Sequence, residues 1–268
     1  MKYALIVGID KYKNKSNNLN GCVNDAHDVF KVLTDRGCKY QNITMLLNET
    51  ATKANIIYSL TNLVNGLNKG DSLTYYHSGH GTQILDKNND ETDGYDEALV
   101  THDFNYSDAF TDDVLKECLS NHPEGANISL VFDTCHSGGF EMNSSDQTVR
   151  SVLLTETVND TSNVTIKKLG VRQTNPHKQR HLLLSGCKEQ QYSYEAKVGR
   201  QVRGLMTLSL CKIFRKNRGK DWQTIFSLLT NIITEQTHNR QQPQIIIPTH
   251  LIHNSGKKWI PLRKRAFR

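Results

Sequence analysis

Apolar residues recur along this chain in two rhythms. Runs of strand length fill 3–9, 43–47, 72–77 and 128–132, while stretches with helical period fill 22–36 and 52–67 between the first three. That alternation predicts a βαβαβ beginning. Asp112 and Asp113 open a further amphipathic segment, Val114 to Leu119, with acidic residues placed where a helix N-terminus favours them. Residues 141–180 are rich in Ser, Thr, Asn, Asp and Lys with weak periodicity and predict a long loop. The pattern then resumes with a strand at 181–186, helices at 203–216 and 221–237, and a last strand at 244–247. The expected fold is α/β, with a mostly parallel central β-sheet flanked by helices on both faces. One domain over 1–268 is expected, divided into a first part (1–140), the loop (141–180), a second part (181–255) and a basic tail (256–268).

In open α/β sheets, reactive groups collect beyond the carboxyl ends of the strands. Three segments fall there: Asp10, the run His77-Ser78-Gly79-His80-Gly81, and the run Asp133-Thr134-Cys135-His136-Ser137-Gly138-Gly139. Cys135 ends an apolar strand and enters a Gly-rich turn. Such a turn admits a substrate backbone and leaves N–H groups for an oxyanion, and a nearby base would supply the attacking thiolate. His80, on its own Gly-flanked turn, is the candidate base. His77 ends a strand and reads as a packed or hydrogen-bonded histidine, and the adjacency of His136 to Cys135 gives it awkward geometry as a base.

Composition narrows the classes. The net charge of +6 is swollen by the basic run near the C-terminus, so a nucleic-acid surface is not implied. No stretch reaches the about 18 apolar residues of a membrane span, and the first apolar run, ended by Asp10, lacks a signal-peptide cleavage pattern. The six cysteines, at 22, 38, 118, 135, 187 and 211, stand singly, which suits a reducing, cytoplasmic setting rather than a disulfide framework. The stretch from Asp86 to Glu97 is dense in hard oxygen donors suited to Ca²⁺, with strands flanking it. It is not an EF-hand, because Glu91 stands where that loop needs Gly.

Tyr76-His77-Ser78-Gly79-His80-Gly81 and Asp133-Thr134-Cys135-His136-Ser137-Gly138 resemble the two signature blocks of metacaspases, the caspase-like cysteine peptidases. Gly21-Cys22-Val23-Asn24-Asp25-Ala26, Asp93-Gly94-Tyr95-Asp96-Glu97 and Leu184-Ser185-Gly186-Cys187 occupy places where that family has similar sequences, so the likeness runs from the first strand to about residue 215. It is of the type I kind, with no Pro-rich or zinc-finger segment ahead of the first strand. The resemblance implies a caspase-like fold, a His80–Cys135 dyad, and an oxyanion hole from the N–H groups of Gly81 and Cys135. It also implies a pocket for Arg or Lys around Asp25 and Asp133, lined by Cys22 and Ser78. Two carboxylates there would select a cationic side chain.

For calcium-dependent members the resemblance implies Asp96, Asp112 and Asp113 as ligands. The fourth position departs from the family pattern, leaving Glu141 as the substitute. Expected partners are protein or peptide substrates with Arg or Lys at the cleaved position, acted on by a monomer. Self-cleavage would fall at basic residues of 141–180. Three rival readings stand: a caspase-like scaffold that does not cut, a zinc site of His77, His80, Cys135 and His136, and an Asp-specific caspase-type peptidase using arginines such as 180, 200 and 203.

Overall fold

A strand apolar on both faces has to be covered on both faces. In the computed structural model the first strand, β1 (Lys2–Gly8), turns Ala4 and Ile6 to one side and Leu5 and Val7 to the other, and all four are fully buried. The structure describes residues 1–35, 40, 42–85, 94–134, 151–152, 181–188, 191–217 and 220–248. After β1 come α1 (Cys22–Thr34), β2 (Asn42–Leu47), α2 (Lys53–Asn65), β3 (Ser72–Ser78), β4 (Gly81–Leu85), β5 (Tyr95–Leu99), β6 (Phe110–Thr111), α3 (Asp112–Leu119) and β7 (Asn127–Asp133). There follow β8 (Ser151–Val152), β9 (Leu182–Ser185), β10 (Glu195–Val198), β11 (Gln201–Gly204), α4 (Leu205–Lys216), α5 (Trp222–Gln236) and β12 (Gln244–Ile246).

The main sheet runs β12-β9-β7-β3-β1-β2, parallel except for antiparallel β12. Helices α1, α4 and α5 pack on the face that carries Ala4, Ile6, Tyr76 and Val131, and α2 and α3 cover the face that carries Leu5, Val7, Tyr75 and Phe132. The helical rhythm explains which residues meet the sheet: Ala26, Val29 and Leu33 are buried on α1, and Ile56, Leu60 and Val64 on α2. This is the expected α/β architecture, a mostly parallel sheet with helices on both faces.

Two small sheets stand beside the main one, and of their strands the sequence predicts only those that flank the acidic segment. β4, β5 and β6 form an antiparallel unit whose first two strands flank the acidic segment, and β11-β10-β8 forms another. The predicted helix at 203–216 begins at Leu205, because residues 203 and 204 finish β11. Gly204 is extended (φ −62°, ψ 132°) and gives its N–H to Asp25. Ser151–Val152 falls inside the predicted loop of 141–180; the rest of that loop and the basic tail lie outside the described residues. Among the described residues no helix is long and apolar enough to cross a membrane.

Candidate active site

The register of the parallel strands sets the site. Gly8 pairs with Ser78 and Ser78 with Asp133, so β1, β3 and β7 end level with one another. Beyond that row, His80 lies two residues past Ser78, and Cys135 two residues past Asp133. Strand order reverses between β1 and β3, with β2 on one side and β7 on the other, which is where open α/β sheets leave a crevice. Thr134 is fully buried at the end of β7; Cys135 itself lies outside the described residues.

His80 is held at three points, from the loop after β1 and from the residue after β5. Its N–H donates to the Tyr12 hydroxyl (2.9 Å), and its carbonyl accepts from the Val100 N–H (3.0 Å). Its ring Nε2 lies 2.9 Å from the Asn17 carbonyl oxygen. A carbonyl can only accept, so this contact puts the proton of the neutral ring on Nε2 and makes Nδ1 the basic atom. Because the ladder bond falls on the His80/Val100 pair, Gly81 opposite Leu99 occupies the non-hydrogen-bonded position, with its N–H directed away from β5.

The loop that carries Tyr12 and Asn17 follows β1. Asp10, buried at its start, accepts from the N–H groups of Cys22 (2.8 Å) and Val23 (3.2 Å), capping α1, whose N-cap Gly21 has no side chain to do so. Asn48, at φ 47°, accepts from the N–H groups of Asp10 and Lys11 at 2.9 and 3.0 Å. His77 behaves as a packed residue: it is fully buried, with Nδ1 3.1 Å from the Tyr75 hydroxyl.

Asp25, Ser78 and Asp133 come together. Even positions of β3 and odd positions of β7 face α1 and α4, so the pleat delivers Ser78 and Asp133 to the side where α1 presents Asp25. The Ser78 hydroxyl and the Gly204 N–H donate to Asp25, at 3.0 Å and 2.9–3.0 Å. Asp133 accepts from the Ser193 hydroxyl at 2.5 Å, the Thr207 hydroxyl at 2.6 Å and the Thr207 N–H at 3.0 Å. Since Thr207 sits in the first turn of α4, Asp133 also serves that helix as a remote N-terminal carboxylate.

Both carboxylates are buried, at 0% and 1% exposure, and Gly204 is packed against them. A Cβ at that position would collide with Asp133 Oδ2 and stand 2.9 Å from Asp25 Oδ2. Burial first, then the charges of Asp25 and Asp133, hold the nearby Tyr76 phenol far above its usual range, so it remains a donor to Thr207 (2.6 Å). Cys22, one turn before Asp25, is buried in the apolar cluster on the opposite face, with Leu5, Val7 and Ile9. The other described cysteines, Cys118, Cys187 and Cys211, are buried too, and burial raises the thiols of Cys118 and Cys211.

The residues implied for calcium give a divided picture. Asp96 is buried on β5, and Asp112 and Asp113 open α3, which packs on β5. Asp112 Oδ1 is a buried oxygen without a hydrogen-bond donor among the described residues, which suits a hard cation. However, Lys116 Nζ lies 2.9 Å from both Asp112 Oδ2 and Asp113 Oδ1. Partial burial works against that ammonium, but its bonds to Asp113 and Asp112 hold it above its ordinary range. No three His, Cys, Asp or Glu side chains among the described residues are disposed to hold a metal ion, and Glu141 lies outside them.

Sequence reasoning did not single out Tyr12, Asn17, Ser193, Gly204 or Thr207. Asn17 acts through its backbone, so its identity carries no signal. Tyr12 did carry one: it is a lone aromatic in a loop of Lys, Asn and Ser, and it is 5% exposed.

The caspase domain profile matches residues 1–250. Metacaspase-1 of Cryptococcus neoformans is 39% identical over 151 residues, covering 51% of this chain and 32% of that protein. Metacaspase-4 of Arabidopsis thaliana is 32% identical over 179 residues, covering 64% and 42%. The chain thus spans less than half the length of these curated relatives. A protein of Geobacter sulfurreducens of known crystal structure superposes with a TM-score of 0.68 at 22% identity, over 98% of this chain and 99% of that one. Caspase-1 of Spodoptera frugiperda superposes with a TM-score of 0.61 at 14% identity, over 100% and 92%, a likeness of fold alone. On a profile that spans nearly the whole length, and a fold to match, the chain belongs to the caspase-domain family, with metacaspases among its relatives.

Proposed function

We propose that the chain is a cysteine endopeptidase that cleaves after Arg or Lys, with Cys135 as nucleophile and His80 as base. The observation that carries the reading is the clamped His80, with Nε2 on the Asn17 carbonyl, at the end of the strand next to the one that leads into Cys135. In sequence, Cys135 follows Asp133, the last residue of β7, by two positions.

His80 Nδ1 takes the Cys135 thiol proton, and the thiolate attacks the carbonyl carbon to form a tetrahedral oxyanion. The N–H groups of Gly81 and Cys135 receive that oxyanion. The protonated imidazole then returns its proton to the departing amine, leaving a thioester. Water, deprotonated by His80, attacks the thioester; the C–S bond breaks, the acid is released, and the His80 proton returns to the departing Cys135 thiolate.

Asp25 and Asp133 support a preference for a guanidinium or ammonium at the cleaved position. An Asp-directed pocket would need a cation there. Arg203, the described arginine nearest in sequence to Gly204, is instead paired with Asp28 and hydrogen-bonded to Gln201.

A calcium role rests on the donor chemistry of Asp96, Asp112 and Asp113, and a cation binding there would first have to displace Lys116. The purified chain is expected to cleave Arg- and Lys-ended reporter peptides, to spare Asp-ended ones, and to lose activity in Cys135→Ala and His80→Gln. Activity that survives Cys135→Ala would sink the peptidase reading, and preference for Asp-ended reporters would sink the specificity. A rate unchanged by chelator would remove the calcium role.

A further inference from the structure

We propose that Tyr12 is a positioning residue for His80, acting on the imidazole through the His80 backbone. The inference rests on the peptidase reading for its kinetic consequence but on geometry for its substance. Tyr12 stands four residues after β1, flanked by the polar side chains of Lys11 and Lys13 to Asn18, yet it is 5% exposed. Its hydroxyl accepts the His80 N–H at 2.9 Å, and its ring lies 5.2 Å from the imidazole centroid, tilted by 41°. One side chain therefore meets His80 twice, at the main chain and at the ring.

The approach depends on Gly79, where a Cβ would stand only 3.0 Å from the Tyr12 hydroxyl and 3.2 Å from His77 Nε2. Tyr12 is itself anchored, its N–H donating to Asn18 Oδ1 (3.0 Å), and the next residue, Lys13, bonds the His102 carbonyl (3.0 Å). The Leu19 N–H closes the loop onto the Asp10 carbonyl (2.8 Å). Tyr12 and Asn17 thus belong to one braced loop that grips His80 at both ends of the residue: Tyr12 orients the peptide that carries the ring, and Asn17 selects the tautomer.

A hydroxyl removed from this grip leaves the His80 N–H without its partner and the ring free to rock, so catalysis should suffer more than substrate binding. Tyr12→Phe keeps the ring and deletes only the hydroxyl. With enzyme titrated for active sites, kcat on an Arg-ended reporter is expected to fall about tenfold while KM stays within about twofold. Tyr12→Leu, which also removes the ring, should lose more.

A purely structural role would lower the melting temperature and leave kcat per titrated site unchanged. The second readout is the His80 ring ¹⁵N resonances at alkaline pH, where Nε2–H is the expected tautomer in the parent and mixing of tautomers is expected in Tyr12→Phe. This signal needs no activity, so a parent that cleaves no reporter would overturn the peptidase reading while the resonances still decide the positioning. Unchanged His80 resonances in Tyr12→Phe, or a kcat within twofold of the parent, would overturn the proposal.

Discussion

Gly204→Ala tests the closest packing around the buried acids. The glycine is not needed for backbone conformation, since φ −62° and ψ 132° suit any residue. It is needed for space. An added methyl would collide with Asp133 Oδ2 and sit 2.9 Å from Asp25 Oδ2, whereas non-bonded heavy atoms settle at about 3.5–4.0 Å. Asp133 cannot simply retreat, because Ser193 and both groups of Thr207 hold it at 2.5–3.0 Å, and Asp25 is tied to the Gly204 N–H itself.

Overpacking of this kind costs about 1–3 kcal/mol, and weakening one hydrogen bond to a charged group adds about 1.5–3 kcal/mol. A combined loss of about 3 kcal/mol would lower the melting temperature by about 6–12 °C in a domain of this size. Displaced acids should also raise KM for an Arg-ended reporter by about tenfold. Calorimetry and steady-state kinetics would read both, with Gly66→Ala as a control, since a Cβ there meets nothing closer than 3.4 Å. A Gly204→Ala melting temperature within 1 °C of the parent's, together with an unchanged KM, would refute the account of residue 204 as the wall against both acids.

Other predictions concern stability. Thr207→Val removes a donor to Asp133 and the acceptor for Tyr76, so it should cost about 2–4 kcal/mol in urea unfolding. Combined with Tyr76→Phe, the loss should be smaller than the sum of the two single effects, because both act on one chain of donors; strict additivity would disprove that linkage. Asp221 caps α5 by accepting the Thr224 N–H at 2.8 Å, a bond that lowers its carboxyl below the ordinary 3.8. The folded state thus favours the ionised form, so the stabilisation is present above that value and is lost as pH falls through the lower, folded one. Asp221→Ala should therefore cost about 1 kcal/mol at neutral pH, with the difference shrinking in strongly acidic solution; a difference that grows on acidification would contradict the assignment.

Much of the fold was legible because periodicity records burial. The strands at 3–9, 43–47, 72–77 and 128–132 and the helices after Cys22 and Thr52 are found within about two residues of the expected bounds. Of the two small sheets, only the strands bordering the acidic segment, β4 and β5, were anticipated; β6, β8, β10 and β11 were not. Gln201-Val202-Arg203-Gly204 runs straight into the amphipathic α4, and its extended form is set by contacts with α1: Asn24 Nδ2 to the Val202 carbonyl, and Gly204 to Asp25. At the site, candidate side chains in marked Gly-rich turns, such as His80, were visible, whereas a contact made through a carbonyl, as at Asn17, or space left empty, as at Gly204, leaves no trace in residue identity.

By itself the sequence determined that an α/β sheet would end in His80 and Asp133 on neighbouring runs, since apolar runs of that length bury as strands and glycines mark where they stop. Only the tertiary structure decided that Ser78 and Asp133 share a face with Asp25, because that depends on strand register and on which side α1 crosses. It alone decided that Asp133 would meet the first turn of α4, 74 residues away, and that the loop after β1 would close on His80 from both sides. Local pattern specifies which residues are buried; the packing of distant elements specifies which polar groups must then find one another, since buried donors and acceptors are costly to leave unmatched.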